Sequence, residues 1–264
     1  MTVVIVYPEI EAFGGVERVL LGLCRELEDL GLEPKIISYF DHIGLHRHAE
    51  RPLNHLVLNP RQGMWAKSSA LKQALSDASG RTLMFGLQSA VHAELAKLED
   101  FSVWVPDTPS LQAVPSASWL RRLSGQARKA LFFNIAGRGL RRADGVVTNA
   151  VYLGDELRRL YRVDPKIIYL GVPSPARAPK TRETETPASR SLLSVSRLEP
   201  NKRIDWLIRA FAGLQARNGG RPVVLDIAGD GGERTSLESL CDSLGVAGSV
   251  RFHGFVSDEE LETL

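Results

Sequence analysis

The sequence predicts an α/β protein made of two parallel-sheet units, and three observations lead to this class. Short β-branched runs alternate with amphipathic helices along most of the chain. The segment 173–188 holds four of the fourteen prolines and almost nothing apolar, which is typical of a linker. After this segment the alternation of strands and helices restarts. The predicted units are therefore residues 1–172 and residues 189–264, joined by the linker 173–188.

The elements of the first unit follow from local patterns. Val3–Tyr7 is a short β-branched run, and it is followed by a helix from Val16 to Leu30 whose apolar residues recur every three or four positions until Gly31. Further strands are predicted at Pro34–Tyr39, His55–Leu58, Thr82–Phe85, Phe101–Val105, Gly145–Asn149 and Lys166–Leu170. Further helices are predicted at Trp65–Ala78, Ala90–Leu98, 117–142 and Leu153–Tyr161. Several strands are apolar on both faces, which is typical of a parallel sheet covered by helices on each side.

The second unit repeats the pattern over a shorter length. Its predicted strands are Leu192–Val195, Val223–Ile227 and Val250–Phe252. Its predicted helices are Ile204–Leu214, a helix around Leu237–Leu244, and one that begins at Glu259. Three strands are few for a doubly wound domain, and 264 residues at ~150 per domain give only ~1.8 domains. We therefore expect the second unit to be incomplete.

Composition and charge exclude several classes of protein. Hydrophobic residues make up 44% of the chain and charged residues 24%, which is ordinary for a globular protein. A net charge of +2 leaves no bulk electrostatic role in nucleic-acid binding. Cys24 and Cys241 lie far apart, so a disulfide framework and a cysteine zinc site are excluded, and both are expected in the core. No apolar run approaches ~18 residues and no basic leader region is present, so the expected location is the cytoplasm.

Candidate ligand-binding residues lie in loops that follow strands. Gly14 and Gly15 join the first strand to the first helix, where a flexible backbone and a helix N-terminus can approach a phosphate. The alternative is a tight turn that merely starts the helix. In the second unit, Arg197 and Lys202 follow the first strand with a spacing that lets two cations converge on one diphosphate. The alternative for this pair is a solvated surface.

Two further loops of the second unit occupy equivalent positions. Gly229 and Gly231 follow the second strand and permit close approach of the backbone, and Phe255 follows the third strand. Neither glycine loop has the third glycine of a dinucleotide fingerprint, which disfavours a nucleotide-dependent oxidoreductase. Since the carboxyl ends of parallel strands share one edge of a sheet, we expect these loops to face one ligand cleft. Five histidines show no firm metal-ligand spacing: His42, His46, His48, His55 and His92. His46 and His48 together with His55 could suggest a metal site, but a polar loop is the favoured interpretation.

These residues resemble those of the family 4 glycosyltransferases, which have the GT-B fold. In that fold two Rossmann-like domains face each other across a donor-binding cleft. The resemblance spans essentially the whole chain and is most specific in the second unit. It is carried by GGVER at 14–18, ADGVVTN at 143–149, YLGV at 169–172, LSVSRLEPNK at 193–202, LIRAF at 207–211, IAGDG at 227–231 and FHGFVSD at 252–258.

The resemblance implies a reaction and roles for the loop residues. It implies retaining transfer of a hexose from a UDP- or GDP-linked sugar to a glycan or lipid-linked acceptor, in cell-surface polysaccharide or glycolipid synthesis, with no cofactor and no metal. Gly15 and its neighbour Gly14 would approach the donor, and Arg197 and Lys202 would neutralise the diphosphate leaving group. The donor-binding set is completed by three residues: Gly229, Gly231 and Phe255.

The sequence departs from the family pattern at two places. Where the family often has a histidine, this chain has Asp107, which is the catalytic candidate. Three roles are open for Asp107: it acts in the reaction, it positions the acceptor, or it caps a turn. The turn is favoured, because an aspartate flanked by prolines is good turn chemistry. The Glu-x7-Glu motif of the family is expected beyond Leu264. The alternative function is therefore a truncated, non-catalytic remnant that binds nucleotide weakly or associates with a membrane.

The segment 117–142 is basic and carries interleaved aromatic residues. Between Thr108 and Ala143 there is no acidic residue. The same segment contains seven basic ones: Arg121, Arg122, Arg128, Lys129, Arg138, Arg141 and Arg142. This pattern suits an anionic membrane surface, where each basic residue contributes ~1 kcal/mol, and an ordinary helix with a solvated basic face is the equal alternative. The expected location is accordingly the cytoplasm, with peripheral attachment to the inner face of the plasma membrane.

Overall fold

A computed structural model describes residues 1–11, 13–61, 63–76, 80–108, 125–171, 190–219, 222–261 and 263–264. The chain divides into two compact units, Met1–Ser174 and Pro175–Leu264. Both units alternate strands with helices on parallel sheets, so the predicted α/β class is confirmed. The predicted linker 173–188 lies outside the described residues.

The first unit is built on a parallel sheet. Its strands are β1 (Thr2–Val6), β3 (Glu33–Ser38), β5 (His55–Val57), β6 (Arg81–Phe85), β7 (Phe101–Val105), β8 (Gly145–Thr148) and β9 (Lys166–Ile167). A separate short parallel pair is formed by β2 (Glu9–Ile10) and β4 (Phe40–Asp41). The helices are α1 (Gly15–Asp29), α2 (Met64–Ser76), α3 (Gly86–Ala96), α4 (Gly125–Arg142) and α5 (Val151–Tyr161). The strand order of the large sheet is β5-β3-β1-β6-β7-β8-β9.

Both faces of the central strand β1 are covered, because its side chains alternate between two hydrophobic cores. Val4 and Val6 belong to a core that also contains residues of α2, α3 and α4. Ile5 belongs to a second core, to which α1 contributes Leu20 and Cys24. This arrangement explains why the strand reads as a continuous apolar run in the sequence.

The second unit contains a smaller parallel sheet among the described residues. Its strands are β10 (Arg190–Val195), β11 (Val223–Ala228) and β12 (Val250–Gly254), in that spatial order. Its helices are α6 (Ile204–Arg217), α7 (Arg234–Ser243) and α8 (Asp258–Leu261). One core joins α6, α7 and the sheet and includes the buried Cys241. The prediction that both cysteines are core residues is therefore confirmed.

Several boundaries differ from the predicted ones. The helix predicted from Ala90 begins at Gly86, because Gly86 adopts a φ of 80° and lets the chain pass from β6 directly into α3. The predicted strand Lys166–Leu170 is wrong beyond Ile167, since β9 pairs only with β8, which ends at Thr148. The predicted helix 117–142 is described from Gly125 onward, and its first part lies outside the described residues.

Candidate functional site

The carboxyl ends of β1 and β6 mark the point where the first sheet reverses its strand order. From β1 the chain proceeds outward to β3 and β5, and it then returns to the other side of β1 to form β6. In open α/β sheets, ligands bind outside the carboxyl ends of the strands at such a point. The Gly14–Gly15 turn after β1 and the Gly86 turn after β6 both lie there, each at the start of a helix. This edge therefore presents two helix N-termini, which attract anions.

Gly14 and Gly15 differ in their surroundings. The backbone N–H of Gly14 donates to Glu17 Oε2 at 2.9 Å. A Cβ on Gly14 would lie 3.3 Å from the same oxygen, whereas a Cβ on Gly15 would meet nothing within 4 Å. The turn is thus closed at Gly14 by its own helix, while Gly15 borders open space. The role of both residues in donor binding stays a prediction.

Glu17 is a buried carboxylate that ties the start of α1 to the end of the first strand. Its Oε1 accepts a hydrogen bond from the hydroxyl of Tyr7 at 2.6 Å, while Oε2 holds the Gly14 N–H. Burial, followed by the hydrogen bond to Glu17, raises the pKa of Tyr7 above its usual value, so the phenol stays a donor. The Gly14–Gly15 turn therefore has a fixed position relative to the sheet.

Asp107 is exposed at a bend that follows β7. Its carboxylate contributes, with those of Glu17 and Glu11, to raising the pKa of Tyr7. Asp107 therefore lies at the same carboxyl edge of the sheet as the Gly14–Gly15 turn. This position is compatible with the interpretations made from the sequence, a catalytic group, a group that positions the acceptor and a turn residue, and the catalytic role stays a prediction.

The second unit presents two exposed cations after β10. Arg197 is exposed two residues beyond the strand, and Lys202 is exposed in the short 3-10 turn Pro200–Lys202. Among the described residues, neither side chain has a hydrogen bond or an ion pair. By contrast, the adjacent Arg203 is bound to Asp205 at 2.8 Å and lies 4.3 Å from the ring centre of Trp206. Arg197 and Lys202 are thus the cations of this loop that remain available to an anion.

Gly229 and Gly231 allow the loop after β11 to pack against the loop that carries Arg197. Gly229 has a φ of 138°, and a Cβ there would lie 1.9 Å from the carbonyl oxygen of Ser196. A Cβ on Gly231 would lie 2.5 Å from the carbonyl oxygen of Leu198. The structural reason for both glycines is therefore close packing of two backbone segments. Their predicted contact with the donor stays a prediction.

The loop after β12 is fixed to the same place. The N–H of Gly229 donates to the carbonyl of Gly254 at 2.7 Å. The next residue, Phe255, exposes 74% of its surface, so a large ring faces solvent beside these loops. Ser196 adds a buried hydroxyl that has no hydrogen-bond partner among the described residues. The structure thus brings Arg197, Gly229, Gly231 and Phe255 onto adjoining loops of one sheet edge.

Two of the histidines, His92 and His55, lie within hydrogen-bond distance of serine hydroxyls on neighbouring elements. His92 is buried and lies 2.9 Å from the hydroxyl of Ser68, and His55 lies 2.8 Å from that of Ser38. No group of three or more His, Cys, Asp or Glu side chains in the described residues is arranged to hold a metal ion. These two rings hold neighbouring elements of the first unit together.

Sequence reasoning missed three residues of the site. Tyr7 and Glu17 were not assigned a role, although a glutamate three residues after a helix N-cap is the position from which a carboxylate reaches back to the cap N–H. Gly86 was missed because the helix was expected to begin later. The signal for Gly86 is a glycine that directly follows a buried strand.

Comparison with known proteins adds a family match and two curated relatives. Residues 179–264 match the family model described as Glycosyl transferases group 1. An uncharacterized glycosyltransferase of Methanocaldococcus jannaschii is 42% identical over 73 residues, which cover 28% of this chain and 18% of that protein. The D-inositol 3-phosphate glycosyltransferase 2 of Catenulispora acidiphila is 36% identical over 126 residues, covering 42% of this chain and 30% of that protein. The matched regions thus cover less than a third of the length of each of these relatives.

Several solved structures share the fold. The lipopolysaccharide outer core galactosyltransferase WaaB aligns over 99% of this chain and 70% of its own, with a TM-score of 0.65 and 16% identity. The Anabaena protein HepE, solved in complex with UDP, aligns over 98% of this chain and 70% of its own, with a TM-score of 0.65 and 20% identity. TarM aligns over 98% and 78% with a TM-score of 0.72 and 10% identity. The chain therefore has the α/β fold class of the GT-B glycosyltransferases.

Proposed function

We propose that this protein is a retaining glycosyltransferase that moves a hexose from a UDP- or GDP-linked sugar to a glycan or lipid-linked acceptor. The observation that carries the proposal is the pair of exposed cations, Arg197 and Lys202, within the segment that matches the group 1 glycosyl transferase model. HepE was solved with UDP and with UDP and glucose, which supports a nucleotide diphosphate sugar as the donor. The expected pathway is cell-surface polysaccharide or glycolipid synthesis.

The two cations suit the chemistry of a diphosphate leaving group. The acceptor hydroxyl forms a bond to the anomeric carbon, the bond from that carbon to the diphosphate oxygen breaks, and negative charge develops on the diphosphate. Arg197 and Lys202 would stabilise this charge more strongly in the transition state than in the bound donor. The hydroxyl proton must pass to a base, and Asp107 is the candidate for that role in the first unit.

Substitution of the two cations tests the proposal. In the 264-residue chain, Arg197→Ala and Lys202→Ala are each expected to weaken binding of UDP or GDP by about tenfold or more, because charge-assisted hydrogen bonds contribute about 1.5–3 kcal/mol. Isothermal titration calorimetry with each nucleotide measures the loss. Transfer of hexose to an acceptor, followed by NMR of the anomeric proton, tests retention of configuration.

The matched control for these variants is Arg209→Ala, which removes an exposed arginine of α6 with no hydrogen bond or ion pair among the described residues. Nucleotide affinity of this variant should equal that of the unchanged chain. Equal affinities for all three variants and the unchanged chain would contradict the assignment of Arg197 and Lys202 to the leaving group.

We also propose that the basic face of α4 attaches the protein to the inner, anionic face of the plasma membrane. The described part of the segment carries no acidic residue and five basic ones: Arg128, Lys129, Arg138, Arg141 and Arg142. No helix among the described residues is long and apolar enough to cross a bilayer. A peripheral contact of this kind would bring the enzyme to a lipid-linked acceptor.

Binding to vesicles tests the membrane proposal. Arg138→Glu is expected to weaken binding to vesicles of phosphatidylglycerol and phosphatidylcholine by at least about fivefold, because each basic residue near an anionic surface contributes about 1 kcal/mol. Cosedimentation at low and high salt measures the effect. Lys72→Glu, on the exposed surface of α2, makes the same charge change and serves as the control. If both variants lose binding equally, the contact does not involve α4.

A further inference from the structure

A groove runs along α4 where this helix packs beside the end of α5. The groove encloses about 450 Å³. Six of the side chains that line it carry the argument: Lys129, Phe133, Asn134 and Arg141 from α4, with Leu160 and Tyr161 from α5. The volume falls in the range of small-molecule sites. We define these residues as the α4–α5 groove.

Within the first unit, the end of the groove at Arg141 and Tyr161 lies away from the Gly14–Gly15 turn. Arg141 is at the C-terminal end of α4, and Tyr161 is the last residue of α5. The helices that connect parallel strands run antiparallel to those strands, so the C-terminal ends of α4 and α5 lie at the edge where the strands begin. Arg141 and Tyr161 therefore lie towards the edge opposite the carboxyl ends of the strands. This end of the groove is therefore distinct from the edge that carries the Gly14–Gly15 turn.

The lining combines positive charge with apolar surface. Lys129 lies 5.6 Å from the ring centre of Phe133, and Arg141 donates to the carbonyl of Tyr161 at 3.0 Å. Leu160 is 44% exposed. Among the described residues, no acidic side chain lines the groove. The ring of Phe133 lies 6.3 Å from that of Tyr161, so the groove also has aromatic side chains in its lining.

Tyr161 provides a second, independent indication of a ligand. Its side chain is only 3% exposed, yet its hydroxyl has no hydrogen-bond partner among the described residues. Burial, followed by the charge of Glu156, raises the pKa of Tyr161, so the hydroxyl remains a donor. A buried donor without an acceptor is unfavourable, and an acceptor oxygen of a bound molecule would satisfy it. Gly137 permits this packing, because a Cβ there would lie 3.0 Å from the Tyr161 ring.

We propose that the α4–α5 groove binds a phosphate ester that carries an apolar body. The phosphate supplies the negative charge and the acceptor oxygens that the cations, the Asn134 amide and the Tyr161 hydroxyl can bind. The apolar body covers the ring of Phe133 and the side chain of Leu160. The ligand is a lipid with a phosphate head group or a soluble phosphate ester, and both share this chemistry. The proposal is independent of glycosyl transfer.

Titration of the intact chain with hexyl phosphate tests the proposal. Hexyl phosphate should bind at least about tenfold more tightly than inorganic phosphate or hexanol alone, because the groove offers both charge and apolar surface. Asn134→Glu places a carboxylate at an exposed position of the groove and should weaken hexyl phosphate binding by about tenfold. Tyr161→Phe removes only the hydroxyl and should weaken binding severalfold while leaving the protein at least as stable.

Lys72→Gln is the matched control, since it also changes the charge by one unit but lies on α2, outside the groove. Its affinity for hexyl phosphate should be unchanged. The proposal is overturned if hexyl phosphate does not bind, if inorganic phosphate binds as tightly, or if Lys72→Gln weakens binding as much as Asn134→Glu. If phosphatidate vesicles displace hexyl phosphate, the proposal is supported and the natural ligand is a lipid. If hexyl phosphate binds but the vesicles do not displace it, the proposal is supported and the natural ligand is a soluble phosphate ester.

Discussion

His92 is buried in the first unit between the hydroxyl of Ser68 and the ring of Tyr39. The Ser68 hydroxyl donates to the carbonyl of Met64 at 2.8 Å, so its oxygen accepts from Nδ1–H of His92 at 2.9 Å. This fixes the tautomer of the neutral ring. Burial, followed by the charge of Lys67, lowers the pKa of His92 to about 3. The ring is thus a structural group that cannot accept a proton without cost.

The buried histidine predicts a pH dependence of stability. Above pH ~6.5 the ring is neutral in both the folded and the unfolded chain, and between ~6.5 and 3 only the unfolded chain binds the proton. We therefore expect His92 to make the free energy of unfolding fall by up to about 1.4 kcal/mol per pH unit as the pH decreases through this window. Urea denaturation from pH 7 to pH 4 measures the slope.

His92→Asn should flatten this slope, because the amide can replace the bond to Ser68 without titrating. The exposed His46→Asn is the control, since it removes a histidine without removing a buried group. A slope that changes equally in both variants would mean that burial of His92 is not the source of the pH dependence.

At the scale of elements, the contact between α3 and α4 depends on one glycine. A Cβ on Gly139 would lie 2.1 Å from the carbonyl oxygen of Ala90, so the two helices approach backbone to backbone. This contact holds α4, and with it the α4–α5 groove, against the core of the first unit. The helix periodicity of the sequence indicates which face of α4 is buried. It does not indicate that α3 packs so closely on this face that a glycine is required.

Gly139→Ala is expected to destabilise the first unit by about 1–3 kcal/mol, because the methyl group must push two backbones apart. The steric destabilisation should exceed the stabilisation of about 1 kcal/mol that alanine provides over glycine in a helix through its higher helix propensity. Gly22→Ala in α1 is the matched control, since a Cβ there meets nothing within 4 Å. Urea unfolding of both variants should give opposite signs, and a stabilised Gly139→Ala would contradict the close approach of the helices.

At the scale of the whole molecule, the described residues form two units that each have their own apolar core. Phe211 and Cys241 belong to the core of the second unit, and Leu71 and Phe132 belong to a core of the first. The alternation of strands and helices predicted this organisation, because each amphipathic element must bury its apolar side near its neighbours in sequence. The α/β class and most of the element boundaries could be predicted for that reason.

The sequence by itself determined the class of fold and the loops that follow the strands, whereas the binding of a diphosphate by residues of these loops stays a prediction. Gly14 and Gly15 follow a strand of the first sheet, and Arg197 and Lys202 follow a strand of the second. A parallel sheet places the ends of its own strands along one edge. Local periodicity carries this information, because it reports which side of an element is apolar and where the element stops.

Only the tertiary structure decided the strand order, with its reversal between β1 and β6, and the partners of the site residues. Three such features depend on how separate elements pack together. They are the hydrogen bond from Tyr7 to Glu17, the packing of Gly229 on Ser196, and the burial of the Tyr161 hydroxyl without a hydrogen-bond partner among the described residues. The physical reason is that a residue's own periodicity shows whether it is buried, whereas the neighbour that it meets is set by how distant segments pack.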